Sequence, residues 1–126
     1  MKTLHHVGYI VEDIDKYKDS LFETNLIKAV YDPIQLAKIE LLNVGRGSFI
    51  ELIQPLGPQA FTWNFLKKNG EGLHHVCYEG YSSAEIDLIL LKGKMLKLRG
   101  PIPAILFERD VIFAMTRNKT IIEFIL

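Results

Sequence analysis

The sequence predicts an α+β fold made of two βαβββ modules, and three observations lead there. Leu4-His5-His6-Val7-Gly8-Tyr9 returns as Leu73-His74-His75-Val76-Cys77-Tyr78, 69 positions later. Phe49-Ile50-Glu51-Leu52-Ile53 is echoed by Ile121-Ile122-Glu123-Phe124-Ile125 at an offset of 72. Between opening and closing segments, each half carries a helical stripe followed by short strand-like runs. An internal repeat outranks local signals because overlooking it misassigns the whole fold. At 126 residues the chain has room for one domain. Its parts are module one at about 1–56, a linker helix at about 57–71 and module two at about 72–126.

The first half opens with the His-bearing strand. Asp13 is a helix N-cap, and Ile14, Tyr17, Leu21 and Phe22 form one apolar stripe over the segment that ends at Phe22. Strands follow at Ile27–Tyr31, Leu36–Val44 and Ser48–Ile53, with Gly45-Arg46-Gly47 turning the last pair into a hairpin. From Pro55 to Gly72, the linker has Phe61, Phe65 and Leu66 at helical spacing and closes at Asn69-Gly70. In the second half, Ser82-Ser83-Ala84-Glu85 has capping-box spacing ahead of Ile86, Ile89 and Leu90. The expected strands there are Met95–Leu98, roughly Ile105–Thr116 with a turn at Glu108-Arg109-Asp110, and Thr120–Leu126 after the turn Arg117-Asn118-Lys119. Neither half could bury both faces of its sheet alone, so the two are expected to pack as one unit.

Composition removes several function classes. Lys and Arg number 15 and so do Asp and Glu, which argues against a nucleic-acid or membrane-surface binder. No apolar run approaches the ~18 residues that span a bilayer. Met1-Lys2-Thr3 leads directly into a strand, without the apolar stretch of a signal peptide. Cys77 is the one cysteine, so an internal disulfide is excluded and a reducing, cytoplasmic setting is expected.

The repeated polar residues carry the chemistry. Side chains alternate across a strand, so His6 shares a face with Gly8, while Val7, Tyr9 and Val11 face a helix. His75 sits likewise beside Cys77, with Val76 and Tyr78 behind. Parity favours the second histidine of each pair, and His5 and His74 remain alternatives. Glu51 and Glu123 lie at the centre of otherwise apolar runs, where a carboxylate must be solvated, paired or bound to a cation. Two imidazoles and two carboxylates converging between the modules make a ligand set for a divalent ion, with positions left for substrate. Mixed nitrogen and oxygen donors suit Zn, Ni, Co, Mn or Fe(II) better than Ca. Such a centre polarises a carbonyl, and a site carboxylate can carry the proton.

These residues resemble the vicinal-oxygen-chelate superfamily of glyoxalases, bleomycin-resistance proteins and dioxygenases, which pairs two βαβββ modules around a central metal cleft. Within it the pattern is most similar to the methylmalonyl-CoA epimerases. Leu4 to Leu26, Ser48 to Gly57, Phe65 to His75 and Ile121 to Phe124 carry the likeness. The resemblance implies His6, Glu51, His75 and Glu123 as ligands, the set reached from the repeat. It also implies Glu51 or Glu123 as the proton carrier, with Glu40 as an additional base in the strand before Glu51. The implied substrate is an acyl-CoA or other small carbonyl compound, and the implied assembly is a homodimer. The stretches Arg99 to Leu106 and Met115 to Asn118 depart from the family's loops that shape the acyl-CoA site. Alternative expectations are a glyoxalase I-type lyase acting on a glutathione hemithioacetal, and a non-catalytic small-molecule binder of the resistance type.

Overall fold

The structure is a computed structural model that describes residues 1–21 and 24–126. The chain runs β1 (Thr3–Ile10), α1 (Ile14–Lys18), β2 (Asn25–Asp32), β3 (Ala37–Gly45) and β4 (Ser48–Pro55), then α2 (Trp63–Asn69). The second half runs β5 (Gly72–Glu79), α3 (Ser83–Gly93), β6 (Leu96–Ala104), β7 (Arg109–Met115) and β8 (Ile121–Ile125). The α+β class and the βαβββ repeat are both present. No helix among the described residues is long and apolar enough to cross a membrane.

The chain forms two compact units, Val7–His74 and Met1–His6 together with His75–Leu126. In the first the strand order is β2-β3-β4-β1; in the second it is β5-β8-β7-β6. Counted from its opening strand, each module therefore reads first, fourth, third, second. That shared order is the structural form of the sequence repeat.

In the Val7–His74 unit, Val11, Ile14, Leu42 and Leu52 form a core cluster with Tyr9, Tyr17, Leu21 and Ile50 against it. The helix-facing parity expected for Tyr9 and Val11 is therefore correct. Asp13 caps α1 by accepting from the Lys16 N–H at 3.0 Å, and the helix ends at Lys18, shorter than its apolar stripe. Phe22, the last residue of that stripe, lies outside the described residues. Gly70 closes α2 with φ of 74°, a conformation glycine adopts without a Cβ penalty.

In the other unit, Ile86, Ile112 and Phe124 pack with Tyr78, Ile89, Leu90 and Ile122. The Ser82–Glu85 capping box forms in both directions, at 3.0 and 3.1 Å. One expectation is corrected here. β6 continues to Ala104 through Pro101 and Pro103, and the turn falls at 105–108, ahead of the expected 108–110. Prolines read as strand breakers, but β6 ends its strand order, and an edge strand tolerates a missing N–H donor. Gly100 holds φ of 100° where a Cβ would collide with the Val111 carbonyl oxygen.

Candidate metal centre

Strand register builds the site. β5 and β8 pair in parallel, with Cys77 opposite Glu123 and His75 opposite Ile121. β8 and β7 pair antiparallel, with Phe113 opposite Glu123. His75 and Glu123 consequently project from neighbouring strands, away from the face covered by Tyr78, Ile122 and Phe124. His6 brings the second imidazole. Its Nε2 lies 3.1 Å from His75 Nε2 and 3.2 Å from Glu123 Oε1, and His75 Nε2 lies 3.0 Å from the same oxygen.

His6, His75 and Glu123 are 1, 2 and 2% exposed. Three polar atoms thus form a nearly equilateral triangle in an environment closed to water. Hydrogen bonding alone satisfies such a triangle poorly, because an Nε2–H points at one partner and cannot align with two. A cation shared by all three lone pairs serves every edge. Ligands ~2.1 Å from one ion stand ~3.0 Å apart at right angles and ~3.4 Å apart at the tetrahedral angle. The observed edges of 3.0–3.2 Å are short enough for all three atoms to reach one divalent ion. These residues fit the group that the donor set calls for.

Aromatic rings wall the imidazoles. Phe107 stacks on His6 with centroids 5.3 Å apart and planes at 24°, and Phe113 meets His75 edge to face at 5.5 Å. Sequence reading missed both. Phe107 sat beside a misplaced turn, and Phe113 looked like any core strand residue.

The first histidines of the two pairs have different surroundings. His74 packs edge-on against Phe65 at 5.0 Å and near Phe61 at 6.3 Å, so it joins the aromatic cluster of the linker helix. His5 places its Nδ1 2.8 Å from the Nδ1 of His6, on the side of that ring remote from Glu123. The Cys77 Sγ is buried and lies within 4.8 Å of donor atoms of His5 and His6.

In the Val7–His74 unit, Glu51 is 4% exposed on β4, opposite Leu41 of β3. Ala37, Ile39 and Leu41 make that face of β3 apolar. Glu40 lies on the neighbouring strand β3. It pairs with Leu52, so it points to the face opposite Glu51, and its Oε1 accepts from Lys18 Nζ of α1 at 2.8 Å. That carboxylate is thus engaged by a helix lysine on the face opposite Glu51.

The family model of the Glyoxalase/Bleomycin resistance protein/Dioxygenase superfamily matches residues 5–92. This chain belongs to that superfamily. Methylmalonyl-CoA epimerase of Mus musculus, a mitochondrial protein, is 35% identical over 117 residues, covering 87% of this chain and 64% of its own. The chain spans 55–64% of the length of the mammalian relatives it matches. A hypothetical protein from Bacillus halodurans C-125 has a similar structure, with TM-score 0.85 and 27% identity over 98% of this chain and 93% of that one. A methylmalonyl-CoA epimerase in complex with methylmalonyl-CoA and NH4+ superposes with TM-score 0.83 and 16% identity, covering 99% and 94%. The superfamily fold accounts for the order shared by the two modules.

Proposed function

We propose that the chain is a metal-dependent isomerase or epimerase that removes and returns a proton beside a carbonyl or thioester, with methylmalonyl-CoA or a related acyl-CoA as substrate. One observation carries the reading. In a chain similar to methylmalonyl-CoA epimerases, two imidazoles and a carboxylate, all buried, gather their donor atoms within 3.2 Å of one another.

In this reading the two modules act as one domain. His6, His75 and Glu123 hold one divalent ion (Co, Mn, Ni, Zn or Fe), with Glu51 as the fourth ligand. The burial of Glu51 and its place in the repeated Ile-Glu motif support its inclusion. When bound, the ion supplies Lewis-acid polarisation of a carbonyl oxygen, an effect of several kcal/mol. One of Glu51 and Glu123 takes the proton from the adjacent carbon while the C–H electron pair moves toward the carbonyl, and the other, in its protonated form, gives a proton to the opposite face of that carbon as the electron pair returns. β3 adds no further acid or base to the Glu51 face, so the proton work falls on these two residues. Phe107 and Phe113 exclude water beside the imidazoles, which keeps the neighbouring electrostatics strong.

A homodimer in a reducing, cytoplasmic setting belongs to the same proposal. β2 and β6 end their strand orders, and Leu26, Ile27 and Leu96 on them are more than half exposed. Cys77 is a buried thiol.

The test is proton exchange in deuterium oxide on methylmalonyl-CoA by the Co²⁺-loaded protein, followed by proton NMR. Loss of the α-proton signal is expected. Metal-loaded protein that leaves the α-proton in place, or that instead converts a glutathione hemithioacetal to lactoylglutathione, overturns the assignment.

A further inference from the structure

His6 offers Nε2 toward Glu123 and His75, and its other ring nitrogen meets His5. We propose that His5 is a positioning residue: it accepts the Nδ1–H of His6 and thereby holds that ring with the Nε2 lone pair facing Glu123 and His75. The inference rests on the metal-centre reading above and adds the group that orients one of its ligands.

The Nδ1 atoms of His5 and His6 are 2.8 Å apart. Two ring nitrogens at that distance share one proton, since two lone pairs or two N–H groups would repel. The direction follows from what each ring must do. A histidine that ligates through Nε2 carries its proton on Nδ1, so His6 donates and His5 accepts. His5 then carries its own proton on Nε2. A partner on the second ring nitrogen is the general means by which a ligating histidine is held in one tautomer and one orientation.

Phe107 keeps the two rings in register. It lies face to face with His6 and edge-on to His5, with centroids 5.1 Å apart and planes at 86°. His5 and His6 themselves meet at 83°, which aims one Nδ1 at the other across neighbouring residues whose backbone alternation would otherwise part them. Phe107 comes from the turn between β6 and β7, so that turn fixes the angle at which the pair meets.

Two substitutions at His5 separate orientation from bulk. His5→Phe keeps a ring against Phe107 and removes the acceptor, whereas the Oδ1 of His5→Asn stands about where Nδ1 stood. Co²⁺ affinity is measured by its visible absorption, and ring tautomers by long-range ¹H–¹⁵N correlation on the Zn²⁺-loaded protein. His5→Phe is expected to lose about 10- to 100-fold in Co²⁺ affinity, with His5→Asn within about threefold of wild type. In wild type, His6 is expected to carry its proton on Nδ1 and His5 on Nε2. Wild-type affinity in His5→Phe, an equal loss in both variants, or a His5 proton on Nδ1 overturns the inference. Should His5→Phe fail to fold, the wild-type tautomers decide it. A wild-type protein that binds neither ion overturns the metal-centre reading instead, and the tautomers of the metal-free protein then judge His5 alone.

Discussion

His75 Nε2 and Glu123 Oε1 lie 3.0 Å apart because β5 and β8 run side by side in parallel, although α3, β6 and β7 separate them along the chain. A parallel pair requires such a crossover connection. The module that supplies the crossover also supplies Phe107 and Phe113, the rings that pack on the two imidazoles. His75, Glu123 and the two aromatic rings thus come from one βαβββ unit, whereas His6 comes from β1 of the other module.

His75→Ala is expected to abolish metal binding. Elemental analysis of purified protein should find wild type near one equivalent and the variant below about a tenth of that. A metal at ~100 times its dissociation constant stabilises the protein that binds it by about 2.7 kcal/mol. Added Co²⁺ should therefore raise the melting temperature of wild type and leave that of His75→Ala unchanged.

Glu40→Gln tests whether this carboxylate shares in the proton work. The carboxylate pairs with Lys18 on the α1 face, so proton exchange at the substrate carbon should stay within about threefold of wild type. The expected cost is confined to stability, at about 0.2–1 kcal/mol for a partly exposed ion pair. Urea unfolding alongside the exchange assay reads both quantities.

Gly100→Ala should be severe for its size. The left-handed φ of 100° strains any L side chain, and the added carbon would meet the Val111 carbonyl and stand 3.0 Å from Ile112 Cα. A loss of about 2 kcal/mol or more is expected, measured as a lower denaturant midpoint. Because β6 and β7 flank the turn that carries Phe107, the near-ultraviolet circular dichroism of the folded variant should change as well.

Glu85 provides the pH dependence. The Lys2 ammonium, first through its hydrogen bond, and then the Ser82 N–H hold its carboxyl at about 2, below the ordinary 4.5. A depressed folded-state value means that the group stabilises the fold above pH 4.5 and loses that contribution as pH falls through about 2. Glu85→Gln should therefore melt below wild type at neutral pH, with the gap narrowing between pH 4.5 and 2. A gap that stays constant over this interval would refute the linkage.

Much of the architecture was legible because it was written twice. The Leu-His-His-Val and Ile-Glu repeats mark the first and last strands of each module, and strand parity alone separates His6 from Val7 and His75 from Val76. Local chemistry also placed the Asp13 cap, the Ser82–Glu85 box and the Gly70 terminus, since each depends on residues within one turn. β6 was obscured because Pro101 and Pro103 mean something different at a sheet edge than in its interior.

The sequence by itself determined the superfamily fold and which polar residues recur, since a period-two alternation and a duplicated motif survive without coordinates. Only tertiary structure decided what each of those residues touches. Glu40 and Glu51 are both glutamates on adjacent strands of one hairpin, yet register sends one to Lys18 and the other to the opposite face. His5 and His74 likewise hold equivalent places in the repeat, and one meets His6 and Phe107 while the other meets Phe61 and Phe65. Neighbours across a sheet are set by register and by the turns that join distant segments, and neither is encoded in the spacing of residues along one strand.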